Sequence, residues 1–83
     1  MYTIVLEKSV IKQLASIHST DYKKIKSAIN DLANNPRRHG YLKLKGREAY
    51  RIRVGNYRVI YEVEDKILKI FIITVAHRKD VYE

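Results

Sequence analysis

The chain reads as an α+β domain: an N-terminal strand and a helical hairpin packed on one face of a mostly antiparallel sheet of four or five strands. Three observations predict this. Apolar residues recur at helical spacing between Val10 and Leu32, and from Leu42 onward the period changes to two. The joins carry turn residues: Asn34-Asn35-Pro36, Gly55-Asn56 and Glu64-Asp65-Lys66. Helices first and strands afterwards give segregated layers rather than alternating units.

Each element follows from its own residues. Residues 2–6 make a short β-branched strand. Val10, Leu14 and Ile17 stand at i, i+4 and i+7, which predicts an amphipathic helix from about Ser9 to His18. Ser19 or Thr20 caps a second helix, whose apolar stripe is Tyr22, Ile25, Ile29 and Leu32. Pro36 ends it, because the residue before a proline is pushed out of the helical region. Leu42-Lys43-Leu44-Lys45 alternates as a half-buried strand does. Tyr50–Val54, Tyr57–Val63 and Ile67–Ala76 are rich in β-branched and aromatic residues and complete a meander.

The bulk numbers bound the function. The 83 residues make one domain, 1–83, and 46% apolar with 31% charged residues is a globular composition. So short a chain favours a surface site over a deep cavity. With no cysteine there is no disulfide framework and no thiolate chemistry, as suits a reducing cytosol. The longest apolar run, Ile70–Ile73, is far too short to span a bilayer. A soluble, cytoplasmic protein with no membrane partner is the expectation.

Charge is the most directed feature. Between Arg37 and Arg58 eight basic residues face one acidic residue, Glu48, so this window holds +7 of the chain's +8. Such a surface calls for a polyanion, with nucleic acid ahead of an acidic protein or an anionic membrane. The plainer alternative is a basic protein that is merely soluble.

The Gly55-Asn56 turn places this charge. A two-residue hairpin turn sets Val54 opposite Tyr57, Arg53 opposite Arg58, Ile52 opposite Val59 and Tyr50 opposite Tyr61. Tyr50, Ile52, Val54, Tyr57, Val59 and Tyr61 then share an apolar face for the helices to cover. Arg51, Arg53 and Arg58 project from the other. Like charges directly opposite one another destabilise a sheet, whereas clustered guanidinium groups suit bidentate phosphate binding. A solvated face with its arginines splayed into water is the alternative. Lys43, Lys45 and Arg47 extend the basic surface toward a nucleic-acid backbone.

Pairing Glu62 with Lys69 across the second turn puts Ile60, Phe71, Ile73 and Val75 on the arginine face. Ile67–Ala76 is apolar on both sides, which predicts cover from a partner protein or from the chain's own C-terminal segment. Elsewhere the signals are structural. His18 on the first helix and His39 in a loop read as structural or solvated, and no metal-ligand spacing or cofactor motif is present. Gly40, Gly46 and Gly55 are isolated turn glycines. Tyr50, Tyr57 and Tyr61 read as core aromatics, while Tyr41 packs or stacks.

The ordered set Leu44-Lys45-Gly46, Tyr50-Arg51-Ile52-Arg53-Val54, Tyr57-Arg58-Val59-Ile60-Tyr61, Val75-Ala76-His77-Arg78 and Val81-Tyr82 resembles the RelE branch of the RelE/ParE toxin superfamily. The resemblance spans nearly the whole chain and implies a RelE-like fold. It implies a toxin of a type II toxin–antitoxin system: a metal-independent endoribonuclease that cuts mRNA in the A site of the 30S subunit of the ribosome. It implies an antitoxin partner, with operator DNA contacted only through that antitoxin. Arg51 and Arg53 fall at two basic positions of the central strand, Arg58 at the arginine after the hairpin, Arg78 at the arginine after the last strand, and Tyr82 at the C-terminal tyrosine. His77 stands where some relatives have lysine.

The implied chemistry is attack of a 2′-OH on the adjacent phosphate, leaving a 2′,3′-cyclic phosphate and a 5′-OH. Arg58 and Arg78 are expected to stabilise the transition state, Arg51 and Arg53 to hold phosphates, and Tyr82 to stack on or orient a base. Arginines at 51 and 53 depart from the lysines of better-known relatives, and an arginine practically cannot act as a base. His77, Glu83 or a ribosomal RNA group supplied in trans remain open for that role. A ParE-like gyrase inhibitor of the same fold and a non-catalytic RNA-binding module are the rival readings.

Overall fold

The computed structural model describes residues 1–45 and 48–80. Its elements run β1 (Thr3–Leu6), α1 (Lys8–Ala15), α2 (Ser19–Leu32), β2 (Leu42–Lys43), β3 (Ala49–Val54), β4 (Tyr57–Glu64) and β5 (Lys69–His77), followed by a 3-10 turn, Arg78–Asp80. The five strands form one sheet in the order β1-β5-β4-β3-β2. Among the described residues only the β1–β5 pairing is parallel; the others are antiparallel. Two helices on one face of a mixed sheet is the α+β architecture expected.

The helices form where their apolar stripes can reach that sheet. Val10 and Leu14 of α1, with Ile25, Ala28, Ile29 and Leu32 of α2, pack onto Tyr50, Ile52, Val59, Tyr61, Val63, Ile70, Ile72 and Val75. Ile17 and Tyr22 add partly buried contacts at the margin. The first helix stops at Ala15, three residues short of the expected end, and His18 belongs to the second helix instead. Its Nδ1 accepts from the Thr20 N–H, so His18 caps α2 where Ser19 or Thr20 was expected to.

The β3–β4 hairpin has the expected register throughout, including Arg53 against Arg58 and Tyr50 against Tyr61. Gly55 takes a positive φ of 60° while Asn56 does not, which is the pattern of a type II′ turn with glycine first. The β4–β5 hairpin differs from expectation in two ways. Ile67 and Leu68 form the turn and are exposed, so the strand begins at Lys69, paired with Glu64. A bulge then breaks the register between Ile60 and Tyr61, so Tyr61 meets Ile72 but Ile60 meets Thr74. The extra residue, Ile73, reverses the alternation. Phe71, Thr74 and Ala76 therefore share the arginine face with Ile60, whereas Val75 sits opposite Val59 in the core.

Beyond Ile72 the β1 side of β5 has no strand neighbour among the described residues, and Gln13 of α1 bonds there: its Oε1 accepts from the Val75 N–H at 2.8 Å. On the opposite edge, β2 is only two residues long and both are exposed, not half-buried. Its pairing reaches Tyr50 and Arg51 and no further along β3.

Candidate functional site

Arg51 and Arg53 come from β3, Arg58 from β4, and Arg78 from the turn after β5. The hairpin register forces the first three onto the face away from the helices. Ala76, across from Arg58 on β5, leaves room beside it because it contributes only a methyl group. The Arg78 N–H donates to the Asn56 carbonyl at 2.7 Å, which ties the end of β5 to the hairpin turn. This contact brings Arg78 to the other arginines. The result is a surface cleft of about 220 Å³ lined by Arg53, Gly55, Asn56, Tyr57, Arg58 and Arg78.

Positive charge is crowded at and beside the cleft. Arg51 is half-buried beside it, and its Nε has no hydrogen-bond acceptor among the described residues. Desolvation, followed by the charges of Arg53 and Arg58, pulls the Arg51 guanidinium below its ordinary range. Arginine nevertheless stays cationic at neutral pH. An anion seated in the cleft would offset the repulsion among these guanidinium groups.

The other candidate residues lie elsewhere. His77 pairs with Tyr57, on the helix side of the sheet, and its ring meets the Tyr57 ring edge-on at 5.1 Å between centroids. Its Nδ1 accepts from the Lys79 N–H. His77 therefore stands behind the cleft rather than in it. Lys43 is opposite Tyr50 and pairs with Glu48 at 3.4 Å; the residue that shares the face of Arg51 is Leu42, not Lys43. Lys45 is exposed in the loop after β2. Arg47, Tyr82 and Glu83 lie outside the described residues.

Asn56 and Tyr57 line the cleft and were not singled out for it from sequence. Arg37 shows the reverse. It opens the basic window, yet its guanidinium bonds Asp65 at 3.0 Å and the Tyr50 hydroxyl at 3.2 Å. The Tyr2 hydroxyl donates to the same carboxylate at 2.6 Å. Arg37 and Tyr2 hold the Asp65 carboxyl below its ordinary range, so Asp65 in the β4–β5 turn is tied to the N-terminus by Tyr2 and to the loop after α2 by Arg37. Tyr41 packs edge-on against Tyr50. Among the described residues no three His, Cys, Asp or Glu groups could hold a metal ion, and no helix is long and apolar enough to cross a membrane.

Comparison with known proteins identifies relatives of the whole fold. The family model described as ParE toxin of type II toxin–antitoxin system, parDE, matches residues 4–82. Toxin RelE3 of Methanocaldococcus jannaschii is 34% identical over 85 residues, which cover 96% of this chain and 94% of that protein. A chain of the archaeal RelE–RelB complex from Pyrococcus horikoshii OT3 superposes with a TM-score of 0.84 at 31% identity, covering 96% of this chain and 98% of that one. The isolated E. coli RelE toxin gives a TM-score of 0.82 at 25% identity, covering 93% and 84%. The chain belongs to the RelE/ParE family of toxins of type II toxin–antitoxin systems.

Proposed function

We propose that the chain is a RelE-type endoribonuclease that cleaves mRNA in the ribosomal A site through the arginine cleft. The observation that carries this reading is the convergence of Arg53, Arg58 and Arg78, from three separate elements, on one small polar cleft. Three guanidinium groups around a site of this size suit a phosphate that gains negative charge as it reacts. In the reaction the 2′-oxygen forms a bond to phosphorus and the bond from phosphorus to the 5′-oxygen breaks. A base takes the 2′-OH proton, and an acid supplies one to the departing 5′-oxygen.

Arg58 and Arg78 stabilise the phosphorane-like transition state, Arg51 and Arg53 hold phosphates, and Tyr82 orients a base by stacking. No step of this scheme calls for a metal ion. No arginine here can serve as the base. His77, held behind the cleft by Tyr57 and Lys79, suits a positioning role for the neighbouring Arg78. The base then comes from Glu83 or from ribosomal RNA.

An antitoxin is the protein partner in this reading, and operator DNA is reached only through it. Several structural neighbours are toxins solved with their antitoxins. A groove of about 470 Å³ lined by Leu6, Ile11, Leu14, Ala15, Ile17 and Tyr22 suits the apolar side of such a segment, and Ile11 there is 54% exposed.

A second reading has its own support, since the matching family model is named for ParE. It makes the chain a gyrase inhibitor on the same fold. Induced expression followed by primer extension on a translated message separates the two. Rapid translation arrest with transcripts cut inside codons supports the nuclease; DNA damage and filamentation with intact transcripts supports the gyrase inhibitor.

A further inference from the structure

Arg53 lines two depressions, not one. Besides the cleft, it borders a groove of about 550 Å³ between α2 and the margin of β3, with Lys23, Lys24, Ser27, Asp31 and Arg38. The groove follows from the short β2, which stops at Arg51 and leaves Arg53 and Val54 without a strand partner on that side among the described residues. Lys24, Ala28 and Asp31 form one row along α2, and buried Ala28 keeps its middle low. Four cations surround this floor against one carboxylate. Arg53, exposed at the rim, joins it to the cleft.

We infer that this groove is a second phosphate-binding surface, continuous with the cleft, which carries an RNA backbone away from the reacting phosphate. The inference rests on the nuclease reading of the cleft and extends it by naming the path of the strand. Like-charged side chains along a backbone track bind by releasing counterions, and they do so without reading sequence. An acidic polypeptide would feel the same charge. It has no reason to start at Arg53, and the apolar groove at Ile11 and Leu14 gives a protein partner a seat of its own.

The test uses the full chain and labelled 2′-O-methyl RNA, whose blocked 2′-oxygen cannot attack. A trinucleotide fills the cleft alone; a dodecanucleotide also reaches the groove. Lys23 and Lys24 are exposed, and thermal melting checks that the Lys23→Gln/Lys24→Gln variant remains folded. That variant is expected to bind the dodecanucleotide about tenfold more weakly, with the slope of log affinity against log salt reduced by about 1.4. Trinucleotide binding should be unchanged. Weakening seen only with 30S subunits overturns the inference, because ribosomal RNA rather than the substrate strand then occupies the groove. Unchanged binding of both probes, or weakening confined to polyglutamate, also overturns it. Failure of the underlying reading looks different: Arg58→Ala would then leave trinucleotide affinity intact.

Discussion

Adjacent residues of one hairpin do opposite work. Tyr50, Ile52, Val59 and Tyr61 are each 3% exposed or less and sit under the helices. Arg51, Arg53 and Arg58, one residue away along the same strands, face the other side and crowd positive charge. A strand's period of two makes this possible, because it gives two surfaces to one backbone. Buried contacts are concentrated on one surface and positive charge on the other. Changes on the two surfaces should therefore separate cleanly.

The largest expected effect is on the charged face. Arg58→Ala combined with Arg78→Ala should lower cleavage of a translated message by at least about a hundredfold, in the range set by removing transition-state donors. The variant should keep a cooperative melting transition, since neither side chain belongs to the core. Growth of cells expressing it reads the same loss.

Ile52→Ala breaks the other face. Truncating this buried side chain should cost about 2–5 kcal/mol, measured by urea unfolding of the free toxin. The converse change on the same strand, Arg53→Gln, should alter stability by less than about 0.5 kcal/mol while weakening RNA binding. A comparable loss of stability from both would contradict the division between the faces.

Tyr61 gives a smaller, pH-dependent effect. Its buried hydroxyl donates to the Pro36 carbonyl, and burial, with Tyr50 beside it, pushes its pKa up to about 12 from 10. A raised acid contributes stability that is fully present below pH 10 and is lost as pH rises toward 12. Tyr61→Phe should cost about 1–2 kcal/mol at neutral pH and remove that part of the alkaline decline. The smallest effect is at Asp65, whose lowered pKa adds stability above the ordinary carboxylate range that disappears as the pH falls through it. Asp65→Asn should flatten this acid limb in pH-dependent melting.

What could be read from sequence depended on how local the determinant was. The Arg53–Arg58 register was legible because a two-residue turn leaves little freedom. The β4–β5 register was not, because a longer turn through Leu68 and a bulge at Ile73 both shift it, and neither has a distinctive residue signature. His18 was misplaced because imidazole is an uncommon helix cap, and Ser19 and Thr20 beside it are common ones. The basic window was visible as composition, but Arg37 bonds Asp65, 28 residues further along the chain, a contact that only tertiary structure defines. Arg78 reached the cleft by a backbone bond to Asn56, which periodicity does not reveal; the family resemblance supplied it instead.

The central claim is that the arginine face is a ribonuclease site. The most direct measurement supplies programmed ribosomes and a labelled message to the purified wild-type toxin and to the Arg58→Ala/Arg78→Ala variant, then identifies the ends of any fragments. The account predicts A-site cleavage by the wild type, with 2′,3′-cyclic phosphate and 5′-OH ends, and almost none by the variant. Intact message with the wild type, or equal cleavage by a folded variant, would contradict it.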